Sequence, residues 1–315
     1  MAPAFAPASG RPGYVRPLAA FLASAAVGLP LFLLRDGQTN ALKGTRVAAG
    51  LTVFRMEQGG LGVRVIEADL EAGVRVEVAA DEIAVRQGRI TGRARTLPQW
   101  LRATGAAAGV NGGFFGATVD EEHEEIVGLL KRAGRVRVAA QVYRSRPRGT
   151  RYARSALGLT ARGRPDIQWA TSRPGDPQAL RSHPEPEFSG SGSVWKVREA
   201  LGCGPRLIHG GEIAVASRAE RLASPGALRR TFAGYGGPGG KPRYLVLCAA
   251  RGMAFEECAA FLMRFFRQRH ELPCREGMCL DGGGSTQAAW RAGEGIHADP
   301  DPGTPVPTAL LLYSK

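Results

Sequence analysis

Two alternating stretches, Gly62–Leu70 (GVRVIEADL) and Gly73–Ala80 (GVRVEVAA), constrain this chain more than any other feature. Val, Ile and Leu recur there at alternate positions, the period of half-buried strands, and the interval between the stretches allows only a short turn. Further strand-like runs follow at Arg135–Tyr143, Arg154–Thr160, Arg243–Ala250 and Thr308–Ser314. Two segments change to helical period. Thr96–Gly105 has Thr96 as cap, Pro98 in the first turn and Gly105 past the end. Ala254–His270 carries Phe255, Cys258, Ala259, Leu262 and Phe266 on one face, acids in its first turn and Arg267, Arg269 and His270 in its last. A short strand, GMCL, then ends at Asp281. Together these predict an α+β fold of mixed, twisted β-sheets with packed helices, in one domain over residues 51–315. The Pro/Ser/Gly-rich stretch Thr171–Ser193 reads as a surface excursion, because strand patterning resumes beyond it.

The N-terminus points to a compartment. Arg11 and Arg16 precede an uncharged apolar run, Pro17–Leu34, closed by Arg35 and Asp36. A basic segment followed by an apolar one is the pattern of an export signal, and the run approaches the length of an uncleaved membrane anchor. Residues 1–35 are therefore expected to be a signal peptide or N-terminal anchor and residues 36–50 a linker. The rest would be exported, periplasmic or extracellular. Outside the cytoplasm the five cysteines could pair. Cys274 and Cys279 are the most local candidates, with buried free thiols as the alternative; the odd count leaves at least one thiol unpaired. No CxxC or paired-His spacing supports zinc, and the sequence calls for no metal or cofactor. Lys and Arg number 42 against 28 Asp and Glu, a formal charge of +14. That field suits anionic partners, but the arginines are scattered, without a basic tail or an aromatic RNA-binding strand. No specific nucleic-acid binding is expected.

Two glycine-rich motifs carry the candidate chemistry. CLDGGGST, Cys279–Thr286, follows a buried strand, where a ligand-facing loop is common. Asp281 can project there while Gly282, Gly283 and Gly284 expose backbone N–H groups to an anion or a sugar hydroxyl. The second motif is VNGGFF, Val110–Phe115, whose Asn111 is one of two asparagines in the chain. Asn-Gly is also a hairpin signal. The acidic run Asp120–Glu125 could add a second carboxylate or be a solvated loop. GGPGGKPR around Lys241 lacks the spacing of a phosphate loop, and no histidine falls into a hydrolase spacing with Ser285.

In order, GVNGGFF, GPRLIHGGE (Gly204–Glu212), RRTFAGYG (Arg229–Gly236), the helix from Ala254, CLDGGGSTQ and the closing VPTALLLYSK resemble the phosphodiester glycosidase family, over roughly Ala79–Lys315. The resemblance implies that family's single domain and an enzyme acting on a carbohydrate or sugar-phosphate substrate. It maps the family pattern onto Asn111, Gly112 and Gly113, then Arg230 and Thr231, then Asp281 to Ser285. Asp281 would be the catalytic carboxylate and Arg230 the cation for a phosphate or other anion. Asn111 would bind a sugar hydroxyl or water, and Gly112, Gly113, Thr231, Gly282, Gly283, Gly284 and Ser285 would line the substrate site. The chain departs from the pattern at His209, where the family usually has an acidic or polar residue, and in the acidity after Phe115. The expected substrate is a sugar-1-phosphodiester or related bond in envelope or extracellular glycans. The alternative is a non-catalytic glycan-binding or exopolysaccharide-assembly protein on the same scaffold.

Overall fold

A computed structural model describes residues 42–58, 61–145, 149–222 and 226–315. The expected signal or anchor, residues 1–35, lies outside the described residues. No described helix is long and apolar enough to cross a membrane.

The described chain is α+β, as its patterning predicts, and every described strand pairing is antiparallel. The largest sheet has eight strands, in the order Thr45–Ala48, Leu51–Gln58, Leu61–Asp69, Tyr244–Met253, Leu228–Gly236, Glu276–Cys279, Arg206–His209 and Glu212–Ile213. Its first strand lies inside the stretch expected to be linker, and pairs Thr45 with Val53 and Arg46 with Thr52. A five-stranded sheet has the order Gly295–Asp299, Ala288–Ala292, Ala108–Asn111, Thr308–Tyr313 and Arg75–Ala80. These two sheets face each other across one core, where Ile66, Ala68, Leu245, Leu247 and Met278 meet Val76, Val78, Val110 and Leu310. A seven-stranded sheet around Arg154–Leu159 and Pro165–Arg173 adds Leu157, Leu159, Ile167 and Leu201 to that core.

Each of the two facing sheets carries a helix on its outer side. Helix α1, Leu97–Thr104, begins at a capping box in which the Gln99 N–H donates to Thr96 Oγ1 and the Thr96 N–H to Gln99 Oε1. It ends at Gly105, with φ of 74°. Leu97, Trp100 and Leu101 cover Ala79, Ala289, Ala309 and Leu311 of the five-stranded sheet. Helix α2, Phe255–His270, sets Phe261, Leu262, Phe265 and Phe266 on Phe54, Val63, Val65, Phe232 and Val246 of the eight-stranded sheet. Each such side chain contributes about 1.5–3 kcal/mol by leaving water.

This layering changes the reading of the first alternating stretch. Val63 and Val65 face α2, whereas Ile66 and Ala68 face the central core. The strand is buried on both sides, not one, which explains why its alternation changes phase between Val65 and Ile66. Glu67 points to the α2 side and pairs with Arg269 and His270 in the last turn of the helix. The stretch expected to be a surface excursion is also partly a strand, because Asp176–His183 pairs with Pro165–Arg173.

All five cysteines are free and buried. Of the two readings the sequence left open, free thiols hold, and the candidate Cys274–Cys279 bridge is absent for a geometric reason. Extended backbone separates residues by about 3.3 Å each, and Glu276–Cys279 is a strand. The three steps from Glu276 to Cys279 alone span about 10 Å and carry Cys279 away from Cys274, beyond the roughly 7 Å between Cα atoms that a disulfide tolerates. Burial pushes the Cys274 thiol well up, and its sulfur lies 3.3 Å from the Glu276 carbonyl.

Candidate active site

The glycine loop lies where the chain leaves the eight-stranded sheet and enters the five-stranded one. Leu280 still donates its N–H to the Thr231 carbonyl at 2.8 Å, whereas Asp281 donates to the Gly112 carbonyl at 3.1 Å. After a 3-10 turn, Gly283–Ser285, the chain joins Ala288–Ala292 beside Ala108–Asn111. Two residues from different sheets hold this crossing together. Thr231 donates its hydroxyl to Asn111 Oδ1 at 2.6 Å, the Gln287 N–H donates to the same oxygen at 3.1 Å, and Asn111 Nδ2 donates to the Asp281 carbonyl at 2.8 Å.

Asn111 and Thr231 are therefore fully buried behind the loop. The expected contact of Asn111 with a sugar hydroxyl or water gives way to a positioning contact, because its amide holds the Asp281 backbone. Gly112 and Gly113 likewise face protein. A methyl on Gly112 would lie 2.3 Å from the Thr308 hydroxyl, and one on Gly113 would lie 2.6 Å from the Gly202 carbonyl. Neither has positive φ, so VNGG is a close-packing motif here and not a hairpin turn. Gly283 and Gly284 differ: nothing lies within 4 Å of a methyl added to either, and Gly283 has φ of 62°. The open part of the expected substrate site is thus the loop itself.

Asp281 is the chemically distinctive group. Burial raises its carboxyl from 3.8 to about 6, against the opposing effects of a hydrogen bond from the Ser285 hydroxyl and one from the Gly282 N–H. It forms no ion pair with a described residue. A carboxyl poised near 6 can give or take a proton at neutral pH. Ser285, expected in the substrate site, is buried and serves the carboxylate.

Arg230 is beside the loop but already engaged. Its guanidinium donates to the Met253 carbonyl at 3.2 Å and the Gly226 carbonyl at 3.4 Å, and stacks 4.2 Å from the Phe255 ring centre. One of its terminal nitrogens would lie 3.7 Å from a methyl at Gly282. The acidic run is tied up locally: Glu122 pairs with Arg93, Glu125 with Arg89, and Asp120 with His123. Part of it borders an open groove with Arg95, Arg102 and Thr304, and the Thr304 hydroxyl donates to the Gly284 carbonyl.

Sequence reasoning missed several supports. Gln287 bonds the α1 N-terminus and the Thr304 carbonyl, with Leu97 N–H on its Oε1 at 3.2 Å and its Nε2 on Thr304 at 2.7 Å. Glu220 is fully buried and accepts from the Ser155 N–H and hydroxyl, Trp169 Nε1 and the Arg206 N–H. Burial raises its carboxyl despite these donors. Cys203 is buried as well, and its thiol is pushed well up by burial and by the Asp281 charge. Only CLDGGGSTQ, which includes Gln287, gave a sequence signal; Glu220 sits in an arginine-rich loop that gave none. Among the described residues, no cluster of three or more His, Cys, Asp and Glu could hold a metal ion.

Stacked antiparallel sheets thus meet at a glycine loop that bears a half-buried, raised carboxyl. The chain belongs to the phosphodiester glycosidase family, which residues 104–313 match. Solved structures share the fold at low identity. One is the zebrafish N-acetylglucosamine-1-phosphodiester alpha-N-acetylglucosaminidase catalytic domain, auto-inhibited by its pro-peptide; it has a TM-score of 0.50, 14% identity and coverage of 86% of this chain and 87% of that one. A candidate exported protein from Burkholderia pseudomallei has a TM-score of 0.52 and 14% identity, with 85% and 76% covered. A hypothetical protein from Synechocystis has a TM-score of 0.51 and 15% identity; 84% of this chain covers 62% of that one. No curated protein matches the chain by sequence.

Proposed function

We propose that this protein hydrolyses the bond between a sugar C1 and a phosphodiester or related oxygen in envelope or extracellular glycans. The observation that carries the reading is Asp281: a half-buried carboxyl raised to about 6, without an ion pair, on a loop whose Gly283 and Gly284 face open space. Cleavage of such a bond builds positive charge on the sugar ring and negative charge on the leaving oxygen. In its ionised form Asp281 stabilises the ring or takes a proton from water; in its protonated form it supplies one to the leaving group. A departing phosphate needs neutralisation of charge more than a proton, and Arg230 gives the Gly282 side of the loop a positive field. Asn111 and Thr231 act through the backbone, fixing the angle at which Asp281 leaves its strand. The apolar run Pro17–Leu34 and the likeness to a candidate exported protein support action outside the cytoplasm.

The rival reading, a glycan-binding or exopolysaccharide-assembly protein, draws on one observation: no second carboxylate hydrogen-bonds Asp281 among the described residues. The test is a screen of the full chain against sugar-1-phosphodiesters and neutral glycosides, with Asp281→Asn alongside. The expected result is release of free sugar, reduced at least about 100-fold in kcat by the substitution. Binding without turnover supports the rival, and full activity in Asp281→Asn removes Asp281 from the chemistry.

A further inference from the structure

We propose that a narrow cleft lined by Phe114, Tyr143, Arg154, Ser155, Gly202 and Cys203 is an oxyanion site, and that Arg154, not Arg230, is the ligand for the substrate's phosphate. The proposal rests on the glycosidase reading of Asp281 and supplies the anion contact which that reading lacks.

The cleft and the carboxyl share a wall. Phe114 continues the segment whose Gly112 carbonyl receives the Asp281 N–H. Gly202, on the cleft floor, lies against Gly113 so closely that a methyl there would meet its carbonyl. Cys203 belongs to that floor, receives the Phe114 N–H on its sulfur and senses the Asp281 charge. The cleft has a cavity volume of about 20 Å³. That slightly exceeds the space one water needs, so it can take an oxygen or two of a phosphate whose ester groups stay at the mouth, and it excludes a sugar ring.

Arg154 has the chemistry of an anion ligand: one hydrogen bond ties it to the Tyr143 hydroxyl, and its remaining donors line the cleft. Its guanidinium lies 4.5 Å from the Tyr143 ring centre and 5.8 Å from that of Phe114. Aromatic faces hold a cation in place without cancelling its charge. Arg154 makes no ion pair with a described carboxylate, unlike Arg64, Arg89, Arg93 and Arg95. Its Nε is buried with no hydrogen-bond partner, an unfavourable arrangement that a bound acceptor would relieve. Burial pushes the Tyr143 phenol up, which keeps it a neutral donor at the same cleft. Glu220 lies behind Ser155 with its oxygens turned to Ser155, Trp169 and Arg206. Arg230, by contrast, already spends donors on two carbonyls.

The test uses the full chain, with inorganic phosphate as the probe, measured by calorimetry at fixed ionic strength. Wild type should bind one phosphate, and Arg154→Met should weaken that binding about tenfold to a hundredfold, the worth of a charge-assisted hydrogen bond. Tyr143→Phe, a gentler change, should weaken it less. With a sugar phosphodiester that the wild type cleaves, Arg154→Met should lower kcat/KM by at least a similar factor, because negative charge grows on the departing phosphate, whereas a neutral glycoside should lose less. Circular dichroism checks that each variant is folded. Failure of the wild type to bind phosphate, or unchanged phosphate affinity in folded Arg154→Met, overturns the proposal; where Arg154→Met does not fold, unchanged affinity in folded Arg154→Gln overturns it equally. If phosphate binding needs Arg154 but no sugar phosphodiester is cleaved, the oxyanion site stands and the glycosidase reading falls.

Discussion

Replacing Asp281 with Asn removes a charge that the fold holds at a cost, so the substitution should make the protein more stable as well as inactive. The size follows from the environment of the carboxyl. In the unfolded chain it titrates near 3.8; in the fold, burial raises it to about 6. At about 1.4 kcal/mol per pH unit, that interval sets a ceiling of about 3 kcal/mol at neutral pH. The side chain is only half-buried, and Asn keeps an acceptor for the Gly282 N–H, so about 1–2 kcal/mol is the expected gain. The sign follows from linkage. Below pH 3.8 the group is protonated in both states and the charge costs nothing. As pH rises from 3.8 to about 6 the unfolded chain ionises first, the folded state loses relative stability, and above about 6 the full cost is present. Thermal unfolding of wild type and Asp281→Asn between pH 3.5 and 8 reads this directly. The two should melt together at the acid end and diverge to about 2–8 °C above pH 7, given about 2–4 °C per kcal/mol for a large domain. A gap that does not change with pH, or a less stable Asp281→Asn at pH 7.5, would refute the argument that burial strains this carboxyl.

Asn111→Ala should lower stability by about 3 kcal/mol or more in denaturant unfolding, since the buried Thr231 hydroxyl, Gln287 N–H and Asp281 carbonyl all lose their partner. Gly113→Ala should cost about 1–3 kcal/mol because its methyl meets the Gly202 carbonyl at 2.6 Å. Gly283→Ala meets no atom and should cost only about 1 kcal/mol, from its φ of 62°; equal melting shifts in the two would contradict this ordering. Ellman's reagent should find no reactive thiol in the native protein and five after denaturation without reductant, given five buried, unpaired cysteines.

Much of the architecture was legible before any coordinates, because local signals and tertiary packing agree there. The caps of α1 are written in Thr96 and Gly105, and Gln99 completes the box only in the fold. The face of α2 is written in its phenylalanines, and the end of the strand before Asp281 in three glycines. What the sequence could not carry is which side of a strand, and which neighbour, a residue meets. Val63 and Ile66 look like one alternating strand, yet they serve two different cores, because a helix covers one face of the sheet and a second sheet the other. The glycines of VNGG and DGGG look alike in sequence. Packing against Thr308 and Gly202 makes the first pair structural, while open space leaves Gly283 and Gly284 free to face a ligand. Arg230 and Arg154 are two arginines among many until their surroundings are seen. Carbonyls of Met253 and Gly226 occupy one, and aromatic rings hold the other with a buried N–H unpaired. Periodicity and caps act over a few residues, so a sequence records them. Hydrogen-bond satisfaction and desolvation depend on residues such as Asn111 and Asp281, 170 positions apart, and only the folded chain brings those together.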